Sequence, residues 1–298
     1  MSLRSFVRRL LKLVFRLYPF VSGQHSVASR RIVKWACRGV RDAASGRRGV
    51  DFIYADLNDA HGRSAYFFGC NDGKIRDVIK RIVAPGDVVL DIGANCGTFS
   101  LLAARLVARE GVVHAFEPQP KLAEMMRRSA AENRFRNLTV HEVALSDSDR
   151  TGILHTYAGD SGYATLSGQD VPQSWKTMSI PVVDAGKYLA GLGLTCVKLL
   201  KIDVEKHEYE VLKAAAEFIR NCPPQYLVFE YHEPGVRFWE SRLVRLLAGL
   251  GYSRIYEVPK SVFRTRVRHI TRGTEPGPKS VNFVAVRETT RDLVFGNR

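Results

Sequence analysis

From about residue 87 onward, short apolar runs alternate with segments of helical period. The runs at 87–92, 112–116, 138–143, 198–203, 226–231, 252–257 and 281–286 predict strands. Those between them, at about 97–109, 119–133, 205–221 and 236–250, predict helices. Strands that alternate with helices imply a mostly parallel sheet covered on both faces. No helical period separates the last two strands, only a basic Pro/Gly-containing loop at 259–280, so they are expected to form an antiparallel hairpin at the sheet edge. Between the third and fourth strands lie 54 residues (144–197), too many for a simple crossover, and runs such as "TGILHTY" and "MSIPVVD" predict inserted hairpins that could form a lid. Upstream, "VDFIYADL" and "RSAYFFG" read as a small β-hairpin, followed by a helix at 73–83.

The first residues behave differently. Wound at 100° per residue, "LRSFVRRLLKLVFRLY" places Arg4, Arg8, Arg9, Lys12 and Arg16 on one arc and Leu3, Phe6, Val7, Leu10, Leu13, Val14 and Leu17 on the opposite one. Such a helix at residues 3–18 suits the surface of an anionic membrane, or an ordinary packing face on its own domain or a partner subunit. Residues 1–50 are accordingly set apart as a basic N-terminal segment, with the main domain at 51–298.

Charge sharpens that division. The net charge of +15 is concentrated at the ends: residues 1–50 carry 12 basic residues and one acid, residues 254–298 carry 10 and four, and the 203 between them sum to −2. An enzyme of nucleic acids would more often gather positive charge around its cleft, so nucleic acid is not the favoured partner. Five scattered cysteines without a C-x-x-C pair point to reduced thiols rather than a zinc site or disulfide framework. No apolar run approaches the roughly 20 residues of a transmembrane helix. The expectation is a cytoplasmic protein, with a peripheral place at the inner membrane face left open. Oligomeric state is not legible.

The chemistry begins at "VVLDIGANCGTFS", residues 88–100, a strand that runs into a glycine turn and a helix. In a dinucleotide fold such a turn cradles a pyrophosphate. Asp91 would repel one, at a cost of roughly 3 kcal/mol for charges about 5 Å apart at an effective dielectric of ~20. The acid suits a positively charged ligand instead, and S-adenosylmethionine, with an α-ammonium, a sulfonium and no phosphate, is such a ligand. In "HAFEP", Glu117 ends the next strand 26 residues later, where a carboxylate can take both ribose hydroxyls. The plainer alternative is that both acids merely cap helices at strand ends.

"DIGANCGTFSL", "AFEPQP", "VHEVALSD" and "LLKIDVEKHEYEVLKAA" resemble the S-adenosylmethionine-dependent methyltransferases of the FkbM type, strongly over 86–233, more weakly over 51–85 and 236–286, and not within the first fifty residues. The resemblance implies a class I methyltransferase (Rossmann-like) fold of seven strands and O-methylation of a hydroxyl on a sugar, glycan or secondary metabolite. It implies that Asp91, Gly93, Asn95 and Gly97 line the methionine end of the cofactor, that Glu117 meets the ribose, and that Val143 and Ala144 lie against the adenine. One departure stands out: where the family reads D-V-E-G-x-E, this chain has Lys206 in place of the glycine. If that glycine allows a close approach of backbone to substrate, the lysine changes the acceptor pocket.

At the end of the fourth strand, "KIDVEKHEYE" offers Asp203 and His207, four residues apart. A helix that begins near Glu205 would let a histidine base be oriented by a carboxylate, with Asp203 the stronger of the two candidates because strand-end acids point into the crevice. His207 could equally be a solvent-facing residue beside acids that favour a helix N-terminus. A metal-assisted version through Asp203, Glu205 and Glu230 is conceivable, but clustered acids at helix starts are common without an ion, and no metal is assigned. Glu230 and His232 in "FEYHEP" border the acceptor side, and Tyr163 belongs either to a lid or to a packed turn. Two other functions compete: an RNA or protein methyltransferase, suggested by the pI of 9.8 but lacking the D/N-P-P-Y/F signature of N-methylation, and a catalytically silent module that binds a nucleotide or lipid.

Overall fold

The computed structural model describes residues 2–47, 50–166, 168, 171–233, 235–277, 280–291 and 294–295. Parts of the expected lid (167, 169 and 170), of the basic loop (278 and 279) and the proline of "FEYHEP" (234) lie outside the described residues.

The central sheet has eight strands. In spatial order they are Arg268–Ile270, Arg254–Glu257, Asn282–Val286, Tyr226–Glu230, Leu199–Ile202, Val88–Ile92, Val112–Phe116 and Leu138–His141. The last five are parallel to one another. Asn282–Val286 runs antiparallel and is inserted between Tyr226–Glu230 and Arg254–Glu257. The expected hairpin is therefore real as a pairing but misplaced: its second strand is interior, every residue of it buried, and a strand from the basic loop, Arg268–Ile270, makes the edge and raises the count from seven to eight. An apolar run such as "FVAV", residues 283–286, is the mark of a strand covered on both faces rather than an edge.

Period-two alternation sorts the side chains onto two cores. Leu90, Ile92, Leu200, Ile202, Leu227 and Phe229 pack with the helices Glu208–Ala214, Ala216–Asn221 and Arg242–Gly249 on one face. Val89, Leu199, Tyr226 and Val228 pack under Gly73–Ile82 and Thr98–Leu106 on the other. Adjacent strands are in register, so Lys201 stands directly beside Asp91, on the face of Val89 and Leu199.

Between the third and fourth parallel strands the chain forms a separate four-stranded sheet of Ala144–Ser146, Lys176–Asp184, Arg150–Tyr157 and Asp160–Thr165. Upstream of the core the expected hairpin shifts. Ala43–Arg47 pairs with Val50–Ala55, whereas "RSAYFFG" is helical, within Ala60–Phe68. Its caps decide this: the Asp59 side chain accepts from the Gly62 N–H, and Gly69 closes the helix at φ +71°. The boundary expected at residue 50 thus falls inside a hairpin, and Ala28, Val33 and Cys37 share one core with Ile53, Phe67 and Phe68. Buried Arg63 fastens the same region, donating to the carbonyls of Ala28 (2.7 Å) and Leu57 (3.0 Å).

Candidate functional site

A cavity of about 360 Å³ opens at the carboxyl ends of the parallel strands, walled by Ile92, Glu117, Ile202, Asp203 and Glu230 among others. It lies between Val88–Ile92 and Leu199–Ile202, where the strand order reverses, the usual place for a ligand in such sheets.

The glycine turn forms its floor. Gly93 has φ +79°, and a Cβ there would stand 1.9 Å from the carbonyl oxygen of Asp203. Because the obstacle is backbone, no side chain fits. Asn95 follows at φ +52°, a conformation asparagine tolerates better than most residues. Gly97 also has a positive φ, but its missing Cβ makes room for Met126, 2.6 Å away. It packs the turn on its neighbouring helix and does not line the cavity.

Glu117 is buried at the end of the second parallel strand. Its two carboxylate oxygens accept the backbone N–H groups of Asn95 (2.8 Å) and Gln119 (2.9 Å). Burial nonetheless pushes its carboxyl up to about 7. A carboxylate has about four acceptor sites, so two remain for ligand hydroxyls. Gly93, Asn95, Glu117, Val143 and Ala144 all face the cavity.

Asp91 does not. It is 2 % exposed, accepts the Ser100 hydroxyl at 2.6 Å, and pairs with Lys201, whose Nζ is 3.1 Å from its Oδ1 and 3.7 Å from Asp203 Oδ2. Burial works against the lysine's charge, but Asp91 and Asp203 outweigh it and hold its pKa above the ordinary value. The expected direct contact of Asp91 with a cationic ligand is thereby corrected: its carboxylate lies outside the cavity wall and is engaged by Lys201 and Ser100. The negative field belongs instead to Asp203 and Glu230, which cluster with Glu205 so that the carboxyl oxygens of all three lie within 4.8 Å of one another. Burial and these neighbours push Glu205 up to about 9, so it holds a proton at neutral pH and relieves the crowding.

Asp203 and His207 both line the cavity but do not meet. Glu205 and Lys206 adopt left-handed backbone (φ +53° and +73°), and the helix begins only at Glu208, so the i, i+4 geometry is never formed. His207 Nε2 bonds to Ser146 Oγ at 2.9 Å, and Nδ1 faces Glu210 at 4.0 Å. Burial lowers its pKa. The carboxylate-held histidine lies elsewhere: His232 Nε2 is 2.9 Å from Glu230 Oε2 at the cavity wall. The bond to Glu230 raises the imidazole's pKa, while burial and the charge of Asp203 raise that of the carboxyl.

The strand Asp160–Thr165 covers the cavity with Ser161, Gly162 and Tyr163. It is tied down through Ser161, whose hydroxyl meets Asn95 of the glycine turn (3.1 Å) and Asp59 (3.0 Å). Tyr163 is thus a strand residue of this cover, half exposed. Sequence reasoning overlooked Lys201, although a lysine inside the apolar run "VKLLKIDV" is a signal in its own right.

Position 206 explains itself by conformation. A left-handed lysine costs about 1–2 kcal/mol relative to glycine, and its exposed side chain is not part of the cavity wall. Lys206→Gly should therefore raise the unfolding free energy by about 0.5–1 kcal/mol, after the extra entropy of glycine in the unfolded chain. A shifted urea midpoint at unchanged slope would show it.

A mostly parallel sheet with an inserted antiparallel strand, a glycine turn after its first parallel strand and an acid after its second define a methyltransferase of the Rossmann-like class. The sequence profile of the methyltransferase FkbM domain matches residues 91–254. The chain belongs to the FkbM methyltransferase family. It is 31% identical over 201 residues to the 31-O-demethyl-FK506 methyltransferase FkbM of Streptomyces tacrolimicus, spanning 58% of this chain and 75% of that protein. It is also 31% identical over 125 residues to a protein-L-isoaspartate O-methyltransferase of Methanothrix thermoacetophila, spanning 41% of this chain and 57% of that one. Among solved structures, an S-adenosylmethionine-dependent O-methyltransferase of Thermotoga maritima aligns over 73% of this chain and 64% of its own, at 16% identity and a TM-score of 0.39. That likeness is too distant to add to the fold described above.

Proposed function

We propose that the protein transfers a methyl group from S-adenosylmethionine to a hydroxyl of a carbohydrate or polyhydroxylated metabolite. The observation that carries this reading is the Glu230–His232 pair at the cavity wall (2.9 Å). A hydroxyl must lose a proton as it is methylated, and a histidine held by a carboxylate is suited to take it.

The residues fit the cofactor. The Gly93–Asn95 backbone would meet the methionine end, Glu117 the ribose, and Val143 with Ala144 the adenine. Asp203 faces the place where positive charge would sit. Bound there, S-adenosylmethionine supplies a methyl group already activated by its sulfonium. The chain's part is to orient the acceptor and move one proton. Asp203 and Glu230 accept hydrogen bonds from acceptor hydroxyls, while protonated Glu205 donates one. His232 removes the proton, and the strand Asp160–Thr165 keeps water out. His207, lowered by burial and held by Ser146, positions the wall beside them. An RNA acceptor is disfavoured because its phosphates would enter a cavity walled by Asp203 and Glu230, with the basic residues gathered at the chain ends.

Cofactor affinity tests the first half. With a carboxyl at about 7, Glu117 is protonated below that pH and grips two hydroxyls only when ionised. Affinity for S-adenosylmethionine should rise up to tenfold per pH unit toward 7 and level off above it. Glu117→Gln should flatten that slope in calorimetric titration, and no measurable binding by the wild-type protein would refute the assignment. The second half is tested by methyl-labelled cofactor and panels of glycans, RNA and proteins. The product should be a methyl ether; label on nitrogen or on RNA would reject the reading.

A further inference from the structure

The amphipathic N-terminal helix packs on its own domain, yet not by its apolar arc. Leu3–Phe15 docks through Leu11 and Phe15, the latter stacked on Phe68 with ring centroids 5.2 Å apart. Arg8 donates to the carbonyl of Ala36 (3.3 Å), and Lys12 lies over the Tyr66 ring. No residue of the helix is fully buried. Leu3, Phe6, Leu10, Leu13, Val14 and Leu17 face outward, each at least 49 % exposed and Leu17 at 84 %. Own-domain packing and a free apolar face, which look like alternatives in sequence, coexist.

A second exposed apolar segment is anchored just past the end of the helix. Val21 N–H donates to the carbonyl of Val262 (2.8 Å), and the Phe20 and Phe263 rings are 5.3 Å apart. Val262 and Phe263 are themselves 55 % and 69 % exposed. Arg9, Arg16, Lys260, Arg264 and Arg266, which neighbour these apolar residues in sequence, are also exposed. The two strongly basic ends of the chain, remote in sequence, therefore meet where large apolar side chains are left in water.

We propose that this surface docks on an anionic lipid bilayer. Apolar residues would enter the acyl boundary while the surrounding arginines and lysines meet acidic headgroups, the combination that holds interfacial helices. A second copy of the chain is the poorer occupant, because self-pairing would bring two clusters of like charge together around the apolar contact. The docking is independent of the methyl-transfer reading, since none of these side chains lines the cavity.

Sedimentation of the full chain with vesicles tests it. The wild type should bind vesicles of phosphatidylglycerol and phosphatidylcholine but not phosphatidylcholine alone. Binding should weaken as salt rises from 0.1 to 1 M, where the Debye length falls from about 10 to about 3 Å. Arg9→Gln/Arg16→Gln/Arg264→Gln should lower partitioning roughly a hundredfold. Phe6→Ser/Leu10→Ser/Leu13→Ser should abolish it with no fall in melting temperature, because those side chains are already in water. Failure of the wild type to bind anionic vesicles would overturn the proposal. So would wild-type binding by both variants. Analytical ultracentrifugation covers the rival occupant: a dimer broken by the serine variant, without vesicle binding, would make the surface a subunit interface and reject the membrane.

Discussion

Replacement of Lys201 by methionine is expected to destabilise the protein by about 3–5 kcal/mol, the range for removing one partner of a buried ion pair. The lysine is 4 % exposed and Asp91 2 %, so water cannot replace the lost ammonium. Methionine fills much of the same volume, which confines the loss to charge. Ser100 would remain as a donor to Asp91, but a single hydroxyl does not offset a buried carboxylate. Asp203 loses a neighbour as well, so the crowding among the cavity acids worsens. Adding Asp91→Asn to the same chain should recover a large part of the deficit, since no unpaired charge is then left inside. Urea unfolding of the two singles and the double gives the coupling directly. Single variants within about 1 kcal/mol of wild type would show that the pair is not a buried charge unit.

His232→Ala should lower turnover about 100-fold or more, the usual scale for loss of a positioned base, and leave cofactor affinity unchanged. The pH profile gives an independent readout, because His207 and His232, both at the cavity wall, are shifted in opposite directions. Glu230 raises His232, so its neutral, proton-accepting form grows as pH rises through a value above 6.5. Burial lowers His207, so its neutral form already predominates at that pH. If His232 is the base, the rate should climb above pH 6.5 and the climb should vanish in His232→Ala. A rise with its midpoint below pH 6.5, with activity lost in His207→Ala and kept in His232→Ala, would transfer the role to His207.

The parallel strands were legible because runs such as "VVLDI" and "YLVFE" are apolar enough to be covered on both faces. The helix Ala60–Phe68 was not, since "RSAYFFG" has strand-like aromatic content and only the Asp59 and Gly69 caps reveal its state. At the site, the position of Glu117 followed from a strand end, which a sequence displays, whereas Val143 and Ala144 were implied by the family resemblance alone. The partner of Asp91 did not. Pairing across strands depends on register, and register brings Lys201 to Asp91 from 110 residues away. The histidine and carboxylate were sought at 203 and 207 on the premise of a continuous helix. Two left-handed residues, Glu205 and Lys206, break that premise, and nothing in a lysine announces a positive φ.

The contact between Gly93 and the Asp203 carbonyl has a consequence for recombining this enzyme with its relatives. The turn that would hold the cofactor and the strand end that would face the acceptor touch backbone to backbone, with no side chain between them to absorb a misfit. A chimaera whose crossover falls between residues 93 and 203 joins two surfaces shaped in different parents, and a mismatch of a few tenths of an ångström has nowhere to go. The floor of the site is thus a single inheritable block. The strand Asp160–Thr165 meets that block through side-chain hydrogen bonds, from Asn95 to the Ser161 hydroxyl and from the Thr165 hydroxyl to the Glu205 carbonyl, a softer seam. This cover can therefore be exchanged as a cassette, with Asp59 and Asn95 kept as its anchors, while the floor stays whole.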